Sequence, residues 1–321
     1  MNPTVAFTPS PRYPDPAVEV LDDAFLKLRL YSTGVEQLAS GFRWAEGPVW
    51  FGDGRYLLFS DVPGNTIYRW DDCSGMTSVF RNPSNHANGH ARDGAGRLVS
   101  CEHLTRRITR TEYDGRITVL ADRWQGKRLN SPNDIVCAGD GAVWFTDPSF
   151  GIDSEWEGDK APSETPHAVY RLSAEGELQR VIDDLAGPNG LAISPDGRSL
   201  LVVESRGEPW RRLWAYDVAP DGALSNKRLY AEADDGGTYD GIALDVEGNV
   251  WCGYGSNGRA GVASAGLDGV RVLNAQGKPI AHIHLPERCA NVCFGGAKRN
   301  RLFMAASHSL YALYVNTSGA G

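Results

Sequence analysis

No run of apolar residues in the chain approaches the ~18–20 that a membrane-spanning helix requires, so no transmembrane segment is expected. Excess positive charge is missing too: 40 Asp and Glu outnumber 32 Lys and Arg, for a net charge of −8. With no basic field to hold a phosphate backbone, nucleic acid is excluded as an expected partner. The first residues, Met1-Asn2-Pro3-Thr4, supply neither the basic nor the apolar region of an export signal, and a cytoplasmic location is expected. Cysteine is sparse and unpatterned. Cys73, Cys101, Cys137, Cys252, Cys289 and Cys293 are irregularly spaced and form no pair of Cys-x-x-Cys motifs, so they are expected as reduced thiols rather than a disulfide framework or a zinc site. Two catalytic signatures are also absent: a Gly-x-Ser-x-Gly elbow for a serine nucleophile and a His-Glu-x-x-His helix for a zinc hydrolase.

What the chain has in quantity is turns and aromatic strands, with 37 Gly, 18 Pro, nine Trp and twelve Tyr in 321 residues. Short apolar runs such as Val143-Trp144-Phe145-Thr146, Ser199 to Val203 and Val250-Trp251-Cys252 follow Asp-Gly or Glu-Gly and read as arms of antiparallel hairpins. The hairpins recur in register. Glu46, Asn88, Asn133, Asn189 and Asp240 each stand eight residues before a turn glycine (Gly54, Gly96, Gly141, Gly197, Gly248), and a sixth copy starts at Asn291 with a slip of about one residue. Successive starts lie 42, 45, 56, 51 and 51 residues apart. Repeats of about 40–50 residues made of short strands predict an all-β fold, a six-bladed β-propeller, over residues 35–317. Residues 1–34, with Pro3, Pro9, Pro11, Pro14 and Pro16 followed by an apolar stretch from Val18 to Leu30, are expected to form an arm with a short helix. Gly34 to Ala39 is expected as a strand that closes the ring on the last blade.

The innermost strand of each propeller blade lines the central channel, so equivalent residues become a ring. Glu46, Asn88, Asn133, Asn189, Asp240 and Asn291 would bring two carboxylates and four amides together, all oxygen donors. That set predicts a central metal-binding channel for a hard divalent cation, Ca²⁺ first, with Zn²⁺, Mn²⁺ or Mg²⁺ as alternatives. The plainer reading is that Asn and Asp here start turns, but Glu46 is a poor turn former and the register repeats along with the residue type. The approach to Asn133 places Arg128 and Asn130 at the channel mouth as candidate contacts for an anionic or hydroxyl-rich substrate; Arg128 can equally pair with a surface carboxylate. Asn88, His90 and Glu102 in the second repeat, beside His86 and His103, are further candidates for substrate contact. The longest interval owes its excess to residues 149–166, a polar segment expected as a rim loop over the channel.

Four motifs in order resemble the gluconolactonase/regucalcin family: Ala45-Glu46-Gly47-Pro48-Val49-Trp50, Arg128 to Asp134 with Phe145-Thr146-Asp147-Pro148, Gly187-Pro188-Asn189-Gly190-Leu191-Ala192, and Tyr239 to Asp245. The resemblance spans about residues 35 to 315 and implies a six-bladed propeller with one divalent metal in its channel, held by Glu46, Asn133, Asn189 and Asp240. Asn88 and Asn291 would then be channel-lining amides, and the substrate a small sugar lactone. Ser131 stands where regucalcin-like members carry a substrate-contacting Arg. The resemblance also leaves open a phosphotriesterase, an activity of a few members. A non-enzymatic binding propeller is the remaining class, although such a scaffold has no use for a ring of acids and amides. For hydrolysis, Asp240 is the expected general base, with Asp134 and Asp147 expected to orient the metal-holding side chains.

Overall fold

The apolar strands pair in chain order into six antiparallel sheets, the blades of a six-bladed β-propeller. The structure, a computed structural model, describes residues 4–320 apart from 234, 260 and 262–264. The innermost strands are Ala45–Phe51, Ala87–Arg92, Ile135–Cys137, Pro188–Ile193, Gly237–Leu244 and Cys289–Gly295. Each touches the next, and the sixth returns to the first, which closes the ring. The repeat read from the sequence is therefore the blade.

Blade packing follows from the two-residue period of a strand whose two faces are both covered. In the second strand of blade three, Trp144 packs towards blade four, with Leu200, Val202 and Tyr216, while Phe145 packs towards blade two, with Val99 and Ile108. In blade four, Leu200 and Val202 face blade three, and Leu201 and Val203 face blade five. Six apolar clusters fill the six gaps between blades. Gly96, Gly141, Gly197 and Gly248 all adopt a left-handed conformation in the hairpin turns, the reason glycine recurs there. In the first blade that conformation passes to Arg55.

The last blade has only three strands from its own end of the chain. Its outer position is taken by Glu36–Ser40, which pairs with Ser309–Tyr314, as expected of the closing strand. Ahead of it, Val18–Val20 adds a fifth strand to blade five. The short helix expected in the arm is a single 3₁₀ turn, Asp23–Phe25, that drives Phe25 and Leu28 into the gap between blades five and six. No helix of the described residues is long and apolar enough to cross a membrane.

All six inner strands run the same way along the channel. Residues near their starts line a cleft of about 370 Å³ at one mouth. Their continuations, Val49, Ala91, Ile135, Leu191, Ile242 and Val292 among them, line a wider cavity of about 730 Å³ at the other.

Candidate functional site

The ring side chains sit where the inner strands break register. Pairing jumps from Ala87 to His90, from Pro188 to Leu191 and from Tyr239 to Ile242, so Asn88, Asn189 and Asp240 each fall inside a β-bulge. Blade one jumps just after Glu46. A bulge re-aims a side chain out of the sheet, and here Glu46, Asn88, Asn189 and Asp240 are turned onto one cleft, where Asn133, two residues ahead of the strand Ile135–Cys137, joins them. In blade six the jump falls between Cys289 and Asn291. Ala290 occupies that bulge, and Asn291 lies one step further, among the residues of the opposite cavity. Five of the expected six thus face the cleft, while Asn291 lines the channel beneath them, its side chain hydrogen-bonded to the Glu46 carboxyl.

The ring is tight because most of its members are followed by glycine. A Cβ on Gly47 would lie 2.0 Å from the Asn88 carbonyl oxygen, and one on Gly190 would lie 2.2 Å from that of Asp240. Without side chains there, neighbouring inner strands approach until the amides link. Asn88 Nδ2 donates to Asn133 Oδ1 (2.8 Å), Asn133 Nδ2 to Asn189 Oδ1 (2.8 Å), and Asn189 Nδ2 to Asp240 Oδ1 (2.7 Å). Arg288 completes the series by donating from Nη2 to Asp240 Oδ2 (2.8 Å).

All five ring residues are buried, and burial sets their electrostatics. Desolvation pushes the Glu46 carboxyl well above its ordinary range, and the charges of Asp240 and Asp134 push the same way. Asp240 is also raised by burial, but the Arg288 guanidinium opposes the shift and favours the ionised form. The donor set fits a hard cation: two buried carboxylates, of which Asp240 is paired with Arg288 while Glu46 meets the like charges of Asp240 and Asp134, amide oxygens from Asn133 and Asn189, and a buried Asn88 Oδ1 that has no hydrogen-bond partner. Among the described residues no group of three or more His, Cys, Asp or Glu is placed to hold a metal, so a nitrogen- or sulfur-rich site is not on offer.

Asp134 lies below the ring with Asn291, in the opposite cavity, and burial raises its carboxyl to about 7. Asp147 is fully buried, and its Oδ2 accepts from the Asn130 backbone N–H (2.8 Å), so it braces the segment leading into Asn133 rather than touching the ring amides. Four residues expected to touch the substrate are placed away from the cleft. Asn130 is fully buried, its amide donating to the Thr165 (3.2 Å) and Pro166 (3.3 Å) carbonyls. Arg128 accompanies it, taking Glu164 on its backbone N–H (3.0 Å) and Thr105 O on its guanidinium (3.3 Å). Both anchor the 149–166 loop. His90 faces the other cavity, pinned between the Ser60 and Ser100 hydroxyls at 2.8 Å each, with its pKa lowered to about 3 by burial. Glu102 is spent on Asn85, Arg107 and Thr109. Ser131, in the same segment, accepts from the Gly151 N–H (2.9 Å) and donates to Pro148 O (2.7 Å).

The expected rim loop does reach the cleft, through Phe150, Asp153, Ser154, Trp156 and Glu157. Trp44, Arg206, Arg211, Asn257 and Arg288 also line it, and none of these was expected. Arg288 is three residues ahead of Asn291, at the entry to the last inner strand, and that position was its only signal in the sequence.

Comparisons with known proteins agree with this architecture. Residues 44–308 match the family model described as SMP-30/Gluconolactonase/LRE-like region. The chain is 33% identical to a gluconolactonase of Zymomonas mobilis over 310 residues, 90% of this chain and 83% of that protein. It superposes with a TM-score of 0.85 on the structure of a gluconolactonase from Xanthomonas campestris, 36% identical, covering 98% of this chain and 99% of that one. A structure of a calcium-binding regucalcin from Agrobacterium tumefaciens, 17% identical with a TM-score of 0.69 over 88% and 93% of the two chains, shares the fold. The chain belongs to the SMP-30/gluconolactonase/LRE-like family.

Proposed function

We propose that this protein is a lactonase that opens the ring of a sugar lactone to the corresponding sugar acid with the help of one divalent cation, Ca²⁺ first among candidates, held by Glu46, Asn133, Asn189 and Asp240. The observation that carries the reading is the convergence of five oxygen donors, each on or beside an inner strand and two of them carboxylates, at the floor of one cleft. Membership of the family and the gluconolactonase relatives support the substrate class. The Agrobacterium regucalcin, described as a calcium-binding protein, supports the choice of ion.

A lactone is an ester tied into a ring, and its hydrolysis needs a polarised carbonyl and an activated water. Bound at the ring, a divalent ion would supply a Lewis acid for the carbonyl oxygen and for the charge that develops on it. The chain supplies the rest. Asp240 takes the proton of the attacking water, and Arg288, 2.8 Å from its Oδ2, keeps the carboxylate ionised for that purpose. Trp44, Phe150 and Trp156 give the cleft apolar faces against which the carbon face of a sugar ring can lie. The 149–166 loop forms the rim that screens the reacting atoms from bulk water.

The test is acid release in a pH-stat from a panel of aldonolactones, run beside an aryl phosphotriester. Acceleration over the spontaneous rate on one or more lactones is expected. Hydrolysis of the triester with every lactone left at its spontaneous rate would overturn the reading.

A further inference from the structure

Below the ring of donors the channel widens into the cavity of about 730 Å³ at the other mouth, a size within the ~300–1,000 Å³ of small-molecule sites. Val49, Ile135, Leu191, Ile242 and Val292, from five different blades, give it apolar walls. A segment outside the blade repeat completes them. The Ser318 carbonyl accepts from the Val246 N–H (2.9 Å) and the Ala320 N–H donates to the Leu244 carbonyl (3.0 Å), which lays Gly319 and Ala320 along the wall. A Cβ on Gly319 would sit 2.3 Å from that of Phe294, so only glycine lets this segment lie so close.

Three guanidinium groups, Arg55, Arg92 and Arg299, stand at the mouth of this cavity on blades one, two and six, which are neighbours in the ring. Two of them are already matched. Arg55 donates from Nη2 to Asp72 (2.8 Å), and Arg92 pairs with Asp53. Asp93, also at the mouth, accepts from Arg97 Nε (2.8 Å). Arg299 is different. Its backbone is fixed, the N–H donating to the Gly296 carbonyl (3.1 Å) and the carbonyl accepting from the Gly319 N–H (2.9 Å). Its guanidinium has neither a hydrogen bond nor an ion pair among the described residues, and Arg92 meets it with like charge. An apolar cavity with one unmatched cation at its mouth is complementary to a molecule with an apolar body and a single negative charge. A phosphate monoester would bring nearly two charges to one guanidinium, whereas a carboxylate brings one and matches its planar fork.

We propose that this far cavity is a second binding site, for a small amphipathic carboxylate whose head group pairs with Arg299 at the mouth while its apolar body lies against Leu191, Ile242 and Val292. The site is independent of the reaction at the other mouth, because the ring residues and Asn291 stand between the two openings. The head group supplies the selectivity and the body the affinity. Each methylene that the walls take from water strengthens binding by up to about fourfold, so affinity rises with chain length for as long as the cavity can hold the chain. A neutral molecule of the same length leaves Arg299 unmatched, and a cationic one is repelled by it.

The experiment titrates the full chain in a calorimeter with butanoate, octanoate, octan-1-ol and octyltrimethylammonium, using wild type, Arg299→Gln, Arg299→Lys and Trp156→Ala. Arg299 and Trp156 are both exposed, so neither substitution disturbs the core. Wild type is expected to take up one octanoate per chain, more tightly than any of the other three. Arg299→Gln should weaken octanoate on the order of 10-fold and leave octan-1-ol unchanged, and Arg299→Lys, which keeps the charge, should recover part of the loss. Trp156→Ala, at the opposite cleft, should bind octanoate as wild type does. No binding of octanoate, equal affinity for octanoate and octan-1-ol, or an Arg299→Gln variant that binds octanoate like wild type overturns the proposal. So does a loss in Trp156→Ala that Arg299→Gln does not share, since it places the carboxylate in the cleft instead.

Discussion

Asp240 is bonded on both carboxylate oxygens, by Asn189 on one and Arg288 on the other, so its geometry is set before any substrate arrives. Asp240→Asn keeps the shape but cannot accept a proton. Its turnover on an aldonolactone, measured at saturating divalent metal, is expected to fall on the order of 10²–10⁴-fold; wild-type turnover under those conditions would reduce Asp240 to a metal-holding role. His90 makes a second, independent statement at the same scale. Its folded pKa of about 3 lies far below that of an unfolded imidazole, so the stability it contributes is complete above pH ~6.5 and is lost as the pH falls towards 3. Urea unfolding at pH 7 and pH 5 should find the destabilisation by His90→Gln smaller at the lower pH by about 2 kcal/mol. An equal difference at both values would contradict the buried neutral assignment. The ring residues were legible in the sequence because each stands at a fixed distance from a turn glycine. Arg288 and Glu157 were not, since one precedes the irregular sixth copy and the other lies in an insertion, where no register says which way a side chain points.

The bulged inner strand is the element on which the site depends, and its dependence is steric. Gly190 tolerates no Cβ because the Asp240 carbonyl oxygen of the next blade lies in the way, while nothing lies within 4 Å of a Cβ on Gly139. Gly190→Ala is expected to cost about 1–3 kcal/mol and to lower lactone turnover by displacing Asp240, with Gly139→Ala near wild type on both counts; equal effects at the two positions would contradict the close-approach argument. Strand alternation and hairpin turns could be read from the sequence because they are local. The bulges could not, since a register shift is a relation between two strands, and Asn291 was assigned to the ring for that reason. The same limit misplaced Arg128 and Asn130: they precede Asn133 in sequence, yet hydrogen bonds to Thr105, Glu164, Thr165 and Pro166 turn them towards the rim loop instead of the cleft.

At the scale of the whole molecule, six blades and six apolar gaps form a ring fastened by Glu36–Ser40 on the last blade, and each blade between them holds its inner strand at a fixed distance from the axis. That closure brings Glu46 from the first blade and Asp240 from the fifth into one buried centre, where their charges oppose each other. An ion that binds only this closed ring stabilises the fold by mass action, about 2.7 kcal/mol at a hundredfold excess over its dissociation constant. The decisive measurement is therefore a metal titration of the chelated protein, following bound metal, thermal unfolding and aldonolactone hydrolysis together. The account predicts one divalent ion per chain, with melting temperature and turnover both falling on its removal and both returning as the site refills. Full turnover and an unchanged melt in protein verified to be free of metal would contradict it.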